Sequence, residues 1–172
     1  MTKKKSVAII LIAVLIVSGL IIGLLLVFLQ LPGGGNGDFQ GDPFVSTWNT
    51  TLTSSGSSNS DQIKLPLESL GTYNFEVNWG DGTEDVVTSW DQAETTHTYT
   101  SEGVYTINIT GTIIGWRFNN GGDKDKILEI KQWGSLRLGN SGGYFYGCEN
   151  LEITATDILD LTGTLSLRLA FA

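Results

Sequence analysis

Residues 73–83 read YNFEVNWGDGT, a run of alternating apolar and polar residues that ends in a glycine-rich turn. The apolar members fall on one face of an extended chain, because successive side chains of a strand point to opposite sides. Gly80 and Gly82 permit the positive φ angles of a tight hairpin, and Asp81 can accept hydrogen bonds from the backbone of the turn. We therefore predict a strand packed on one side and solvated on the other, with Trp79 as its last core residue.

The same alternation recurs on both sides of this stretch. It is present from Tyr105 to Thr110 and from Gln62 to Glu68, and no window past Asp42 keeps the helical period for long enough to indicate a helix. Turn residues separate the runs, and the Ser-rich stretch 53–61 is too poor in apolar groups to order itself. The pattern predicts an all-β fold of the β-sandwich type. Further strands are expected at 44–53, 85–90, 95–99 and 112–118.

Two strings in this region resemble the PKD domain. They are NWGDGT at residues 78–83 and HTYTSEGVYTI at residues 97–107. The family pattern is an aromatic residue before Gly-Asp-Gly-Thr, then His-x-Tyr, a turn with glycine and a strand that begins Tyr-Thr. The resemblance covers roughly residues 44–111 and implies an Ig-like sandwich of extracellular proteins that spaces other domains or contacts proteins and glycans. Its motif positions are Trp79, Gly80, Asp81, Gly82, Thr83, His97, Tyr99, Gly103 and Tyr105.

The N-terminal segment predicts a membrane anchor. Residues 7–29 carry no charge, and as a helix they would be about 34 Å long, enough to cross a hydrocarbon core of about 30 Å. A cleavable secretory signal fits less well, because its apolar stretch is shorter and ends in a small-x-small site. The lysines at positions 3–5 are expected to stay in the cytoplasm, and everything after Leu31 is exported. The predicted parts are a basic tail at 1–6, the anchor at 7–31, a Gly-rich tether at 32–42, a PKD-like sandwich at 43–120 and a repeat region at 121–172.

The same start is also similar to the class III signals of archaeal pilins and flagellins. In those proteins the aliphatic helix becomes a filament core and a β-sandwich head follows it. This chain departs from them at the cleavage position, which is Lys5-Ser6 where Gly or Ala is usual. A filament subunit therefore stands as the alternative to a simple anchor. Mass spectrometry of the mature N-terminus separates the two, because pilin processing removes the lysines.

A repeat begins near the end of the chain. The tetrapeptide Ser135–Leu138 recurs at Ser166–Leu169, and Phe145 recurs at Phe171 with a shorter offset. We attribute the difference to extra residues between Gly139 and Tyr144 in the first copy. Both offsets fall in the range of about 20–50 residues that indicates a solenoid, whose units bury their apolar face only against a neighbour. We expect the chain to continue past Ala172, and the 172-residue form to associate through an exposed apolar edge of Leu165, Leu167, Leu169 and Phe171.

Three strings of this region are similar to BspA-like leucine-rich-repeat surface proteins. They are QWGS at 132–135, FYGCENL at 145–151 and ATDILDL at 155–161. In that family each turn carries a Phe-x-Gly-Cys-x-x-Leu string, and a PKD-like domain can precede the array. The resemblance implies that Cys148 is a small buried residue of the repeat and not a reactive thiol.

The charge balance excludes a nucleic-acid binder as the first interpretation. The full chain has 10 basic and 18 acidic side chains, and three of the basic ones are Lys3, Lys4 and Lys5. The part beyond the anchor therefore has 7 basic and 18 acidic residues, a net charge of −11 that repels a polyanion. One cysteine and one histidine cannot form an internal disulfide or a zinc site of the usual Cys/His kind.

No residue pattern marks a catalytic or cofactor site. His97 lacks the nucleophile signature of a triad, so we expect it to be structural. A glycosidase would need two carboxylates about 5 to 10 Å apart across a cleft, and the sequence alone pairs none. Asp81 could bind calcium together with Asp85, Asp123 or Asp125, since hard cations take several oxygens. The spacing at 123–125 departs from a calcium loop, which favours a turn-capping role for Asp81.

The sequence thus predicts a non-enzymatic membrane protein of the cell surface. Its exported part would display a PKD-like domain and leucine-rich repeats for adhesion or for recognition of an extracellular protein or glycan. Asn49 and Asn108 begin the glycosylation sequons NTT and NIT. Asn108 faces away from Ile107 and Ile109, so a sugar there would not enter the core.

Overall fold

The computed structural model describes residues 39–172, and this part of the chain is all-β with no α-helix. No helix in this range is long and apolar enough to span a membrane. The predicted tail and anchor lie outside the described residues, as does most of the predicted tether. One 3₁₀ turn, Ala93–Thr95, precedes β5. The strands are β1 (Phe44–Asn49), β2 (Gln62–Lys64), β3 (Thr72–Asn78), β4 (Glu84–Val87), β5 (Thr96–Thr98), β6 (Val104–Ile114), β7 (Ile127–Gln132), β8 (Leu136–Arg137) and β9 (Glu152–Ile153).

Seven of these strands form one mixed sheet. Their order is β4-β3-β6-β1-β7-β9, with β8 beside the end of β6. The pairs from β4 to β7 are antiparallel, whereas β9 joins β7 and β8 joins β6 in parallel. β2 and β5 form a second, two-stranded antiparallel sheet. Side chains from both sheets, such as Ile63 and Phe75, share one hydrophobic core.

The alternation predicted from residues 73–83 is confirmed. Tyr73, Phe75, Val77 and Trp79 are buried, and Asn74 between them is exposed. Ile107 and Ile109 of β6 are likewise fully buried. β6 lies between β3 and β1, so the buried side chains of these three neighbouring strands pack in one core.

Two predicted strands have different extents for reasons of backbone chemistry. The run 62–68 is a strand only as far as Lys64, because Pro66 has no N–H to continue a ladder. The predicted strands at 105–110 and 112–118 are one strand, β6, which ends at Ile114. Gly111 has φ +120° within this strand, and the strand continues past it. A Cβ at this position would lie 2.6 Å from the Asn74 carbonyl oxygen.

Three other predicted strands are shorter than expected because turns replace their ends. β1 ends at Asn49, whose carbonyl accepts a hydrogen bond from the Leu52 N–H. β4 ends at Val87, and the Gln92 side chain then binds the Thr88 N–H. The 3₁₀ turn takes up the expected start of β5.

A buried ion pair holds the polar loop 53–61, which has no apolar anchor of its own. Asp123 and Lys126 are both buried, with side chains that have no exposed surface. The Asp123 carboxylate accepts bonds from the Ser58 N–H and hydroxyl at 2.7 and 2.6 Å. The Lys126 ammonium donates to the carbonyl oxygens of Ser58, Asn59 and Gln62 at 2.7–3.0 Å. The loop is therefore ordered from outside by two charges of the segment that follows β6.

The end of the chain forms two stacked units, which we call coil 1 (residues 127–149) and coil 2 (residues 150–172). In the parallel pair of β7 and β9, Ile130 of coil 1 lies opposite Ile153 of coil 2. Further along, the Phe145 N–H donates to the Ala170 carbonyl, and the rings of Phe145 and Phe171 stack at 5.4 Å. The two coils thus lie on one another in parallel.

The register of this stacking corrects the predicted repeat. The match of Phe145 with Phe171 is confirmed, but Ser135–Leu138 does not stack on Ser166–Leu169. Arg137 instead pairs with Asp160, in the same register as Ile130 with Ile153. The offset is larger at Phe145 and Phe171, so the extra residues are in coil 2 and not in the first copy. The backbone pairing between the coils sets this register, and it overrides a tetrapeptide match in a Leu-rich segment.

Both coils contribute strands to the seven-stranded sheet. β7 of coil 1 pairs with β1, and β8 pairs with the end of β6. The predicted boundary at residue 120 is therefore not a break in the sheet. It stays a prediction about domain organisation.

Candidate functional site

The structure brings the predicted motif residues together in one aromatic stack. The ring of His97 lies parallel to Trp79 at 4.9 Å, and Tyr99 meets His97 edge to face at 4.5 Å. Tyr105 then stacks on Tyr99 at 3.8 Å. The Tyr99 hydroxyl donates to the Trp79 carbonyl oxygen at 3.0 Å, which closes the stack on the glycine-rich turn.

Asp81 organises the turn from inside. One carboxylate oxygen accepts bonds from the N–H and hydroxyl of Thr83, at 3.0 and 2.6 Å, and the other lies 2.8 Å from His97 Nε2. Burial raises the pKa of this carboxyl group, but the bonds from Thr83 and His97 outweigh burial and hold it below its ordinary value. Gly80 has φ +81°, and a Cβ there would meet the Thr106 carbonyl oxygen at 2.4 Å. The turn thus requires both a glycine and an acceptor.

The rest of the motif fixes the neighbouring loop. The Gly103 N–H donates to the buried Thr50 hydroxyl at 3.0 Å, and the Tyr105 hydroxyl donates to the Ser101 carbonyl oxygen at 2.7 Å. Gly82 has φ +92° and open space around it. The polar groups of the cluster are thus paired with one another or with neighbouring residues, and the motif connects β3, β5 and β6.

The carboxylates considered as calcium ligands are far from forming one site. Asp85 accepts the Trp79 indole N–H at 2.9 Å, and Asp123 belongs to the buried pair with Lys126. Asp125 accepts a bond from the Lys124 ammonium at 2.7 Å. Within residues 39–172, no group of three or more metal-ligating side chains is close enough to hold an ion.

The remaining predicted residues have simple surroundings. Asn108 is half-buried on the face opposite the fully buried Ile107 and Ile109, as predicted. The Asn49 side chain accepts bonds from the N–H and hydroxyl of Thr51. Cys148 is partly buried, and burial raises the pKa of its thiol to about 12. Such a thiol stays protonated and is a poor nucleophile.

Two shallow hollows of about 200 and 230 Å³ are both lined by Ile114, at the end of β6, and by residues of the two coils. We call this pair of hollows the coil groove. It is lined by Glu68, Ile114, Ser135, Arg137, Asn140 and Asp160.

Polar groups from different coils converge in the coil groove. Arg137 Nε lies 2.7 Å from Asp160 Oδ2, with both side chains partly exposed. Hydrogen bonds from Thr162, and then from Arg137, lower the pKa of Asp160 to about 2, so it is an acceptor at neutral pH. The Ser135 hydroxyl is shielded and has no hydrogen-bond partner among the described residues. The groove therefore offers donors and acceptors side by side.

Glycines keep the coil groove open. Gly115, Gly139 and Gly163 are evenly spaced along the sequence, and all three have positive φ. A Cβ at Gly139 would lie 3.2 Å from the Gly115 Cα, which is closer than most Cβ contacts in proteins. Sequence reasoning missed this column and the groove beside it. The signal was present, since LEI at 128–130 recurs at 151–153, in the register that the structure uses.

Comparisons with known proteins identify no relative of this chain. No family model matches the chain, and no curated protein and no solved structure is significantly similar to it.

Proposed function

We propose that this is a membrane-anchored cell-surface protein whose all-β outer part recognises an extracellular protein or glycan. The proposal combines two features, the predicted anchor at residues 7–31 and the coil groove. It is supported by the PKD-like turn and its aromatic stack, which fit an Ig-like sandwich, and by the parallel coils, which fit a leucine-rich array.

The coil groove is the observation that carries this proposal. Glu68 and Asp160 supply acceptors, and Arg137 supplies donors beside them. Hydroxyl-rich or amide-rich ligands need donors and acceptors alternating over a short distance. Each hollow is smaller than the pocket of a drug-sized ligand, about 300–1,000 Å³, so the ligand would contact the groove with small units such as single sugars or side chains.

Binding of the full chain in detergent to arrays of glycans and extracellular proteins tests the proposal. We expect Arg137→Ala and Asp160→Ala each to weaken binding of the selected ligand about 10-fold or more, because a buried polar ligand group loses its partner. Lys64→Ala is the control, since Lys64 is exposed on β2 away from the groove. A ligand that binds both groove variants as tightly as the wild type would place recognition elsewhere, and no binding to either array would contradict recognition itself.

A further inference from the structure

The Glu68 side chain lies against the glycine column, in the hollow of about 230 Å³. A Cβ at Gly139 would lie 3.2 Å from Glu68 Oε1, and a Cβ at Gly115 would lie 3.1 Å from Glu68 Cγ. The main chain of Glu68 is also fixed, because its N–H donates to the Tyr73 hydroxyl and its carbonyl oxygen accepts the Gly71 N–H. The chain therefore holds this carboxylate in the coil groove by backbone contacts on two sides.

Glu68 gives the coil groove an unbalanced negative charge. The other two charged residues of the groove, Arg137 and Asp160, form an ion pair with each other. Within residues 39–172, the half-buried Glu68 carboxylate has no hydrogen-bond or ion-pair partner, and only the main-chain groups of Glu68 are bonded. Charge complementarity therefore favours a cationic group as the occupant of this hollow.

Leu70 adds an apolar surface to the same hollow. Its side chain is 86% exposed, and the hydroxyl-bearing residues Ser141 and Thr162 complete the lining beside it. An ammonium group has three donors, so it needs acceptors besides one carboxylate, and hydroxyl oxygens can supply them. Among the described residues, no aromatic side chain lines either hollow, so a planar guanidinium has no ring on which to stack. The lining suits a compact ammonium group on an alkyl stem.

We propose that this hollow binds a lysine side chain of an extracellular protein. The ammonium group donates to the Glu68 carboxylate and to the nearby hydroxyls, and the four-carbon stem lies along Leu70. This inference rests on the proposed function, and it narrows the ligand from a protein or glycan to a protein with an exposed lysine. An amino sugar shares the ammonium group but lacks the alkyl stem, so the contact with Leu70 separates the two ligands.

Titration of the full chain in detergent with Nα-acetyl-lysine methylamide, followed by NMR, tests the lysine site. A single side chain makes few contacts, so we expect saturable shifts of the Gly115 and Gly139 amide signals with a dissociation constant on the order of 1–10 mM. Nα-acetyl-norleucine methylamide has the stem without the charge, and glucosamine has the charge without the stem. Both should bind at least about fivefold more weakly than the lysine probe.

Two variants separate the charge from the apolar contact. Glu68→Gln keeps the main-chain bonds and the size of the side chain, and it should raise the dissociation constant of the lysine probe at least about fivefold by removing a charge-assisted hydrogen bond. Leu70→Ser should raise it at least about threefold, because the stem loses its apolar cover. Glu102→Gln and Val104→Ser are the matched controls, on exposed residues outside the groove.

Three results would overturn the proposal. A lack of saturable shifts up to about 100 mM probe would mean that the hollow does not bind lysine. Equal binding of the lysine probe to the wild type and to Glu68→Gln, or equal binding of the lysine and norleucine probes, would exclude the Glu68 carboxylate as the partner of the ammonium group. Glucosamine that binds as tightly as the lysine probe would make an amino sugar the ligand.

Failure of this inference differs from failure of the proposed function. A ligand from the arrays that depends on Arg137 and Asp160 but not on Glu68 would contradict the lysine site and leave recognition standing. Arrays without any ligand would contradict recognition, and the probe titration would still decide whether the hollow binds lysine.

Discussion

Trp79 is fully buried and also makes three hydrogen bonds. Its indole N–H donates to Asp85, its backbone N–H to Thr83, and its carbonyl accepts the Tyr99 hydroxyl. Replacement by Ala empties this site, so we expect Trp79→Ala to lower the free energy of unfolding by about 3–5 kcal/mol. Urea unfolding followed by circular dichroism measures the loss. Trp90→Ala is the control, because Trp90 is 45% exposed, and equal losses for the two variants would contradict the structural role.

Asp81 should make stability depend on acidic pH. Its pKa in the folded chain lies below the ordinary 3.8, so its charge stabilises the fold above the unfolded pKa, and this contribution is lost as the pH falls below about 4. Asp81→Asn keeps an acceptor for Thr83 but removes the charge. Urea midpoints between about pH 7 and pH 3 should therefore fall more steeply for the wild type than for Asp81→Asn. Identical slopes would mean that the carboxylate does not titrate as its contacts require.

The same residue also separates a structural turn from a calcium site. Removing the turn bonds by Asp81→Ala should lower the free energy of unfolding by on the order of 1 kcal/mol, with or without calcium. Thermal unfolding with calcium and with a chelator makes this comparison. A rise in melting temperature with calcium that Asp81→Ala abolishes would show that the structural interpretation is wrong.

At the scale of elements, the buried pair of Asp123 and Lys126 orders the loop 53–61. Lys126→Met should lower the free energy of unfolding by about 3–5 kcal/mol, because the buried charge of Asp123 would be left without a counter-ion. Lys131→Met, at an exposed pair with Glu129, should change it by less than about 1 kcal/mol. Limited proteolysis provides a second measurement, with new cleavage between residues 53 and 61 expected only in Lys126→Met. Similar stability and cleavage for both variants would contradict this role.

The glycine column permits a comparison at constant backbone geometry. Gly139 and Gly163 both have φ +83°, so an alanine at either position meets the same backbone strain. Only Gly139 is also crowded, by the Gly115 Cα at 3.2 Å, whereas Gly163 has nothing within 4 Å. We expect Gly139→Ala to lower the free energy of unfolding by about 1 kcal/mol more than Gly163→Ala. Equal losses in urea unfolding would mean that the coils do not approach as closely as described.

The elements that the sequence predicted well are those with a strict alternation. β3 and the first part of β6 were evident because their apolar residues recur every second position, and burial on one face enforces that pattern. The extents of β2 and β6 were missed because single residues decide them. Pro66 removes a donor, and Gly111 allows a bend inside a strand where a turn was expected.

At the scale of the whole molecule, the register between the two coils was the feature that the sequence-based prediction got wrong. Backbone ladders set that register, and side-chain identity within a Leu-rich segment does not distinguish the observed register from the one that the tetrapeptide match suggests. The buried Asp123–Lys126 pair was hidden for a related reason, because the string DKDK at 123–126 reads as a solvated run of charges. The coil groove depends on the register between the coils, since its lining comes from Glu68 and from both coils.

The orientation of the chain in the membrane is the central claim, because recognition outside the cell requires it. Cells that produce the protein with one epitope tag before Met1 and another after Asp42 are treated with protease while intact. We expect loss of the second tag and survival of the first, since the lysines at positions 3–5 favour a cytoplasmic N-terminus. Loss of the N-terminal tag with protection of the tag after Asp42 would contradict the account.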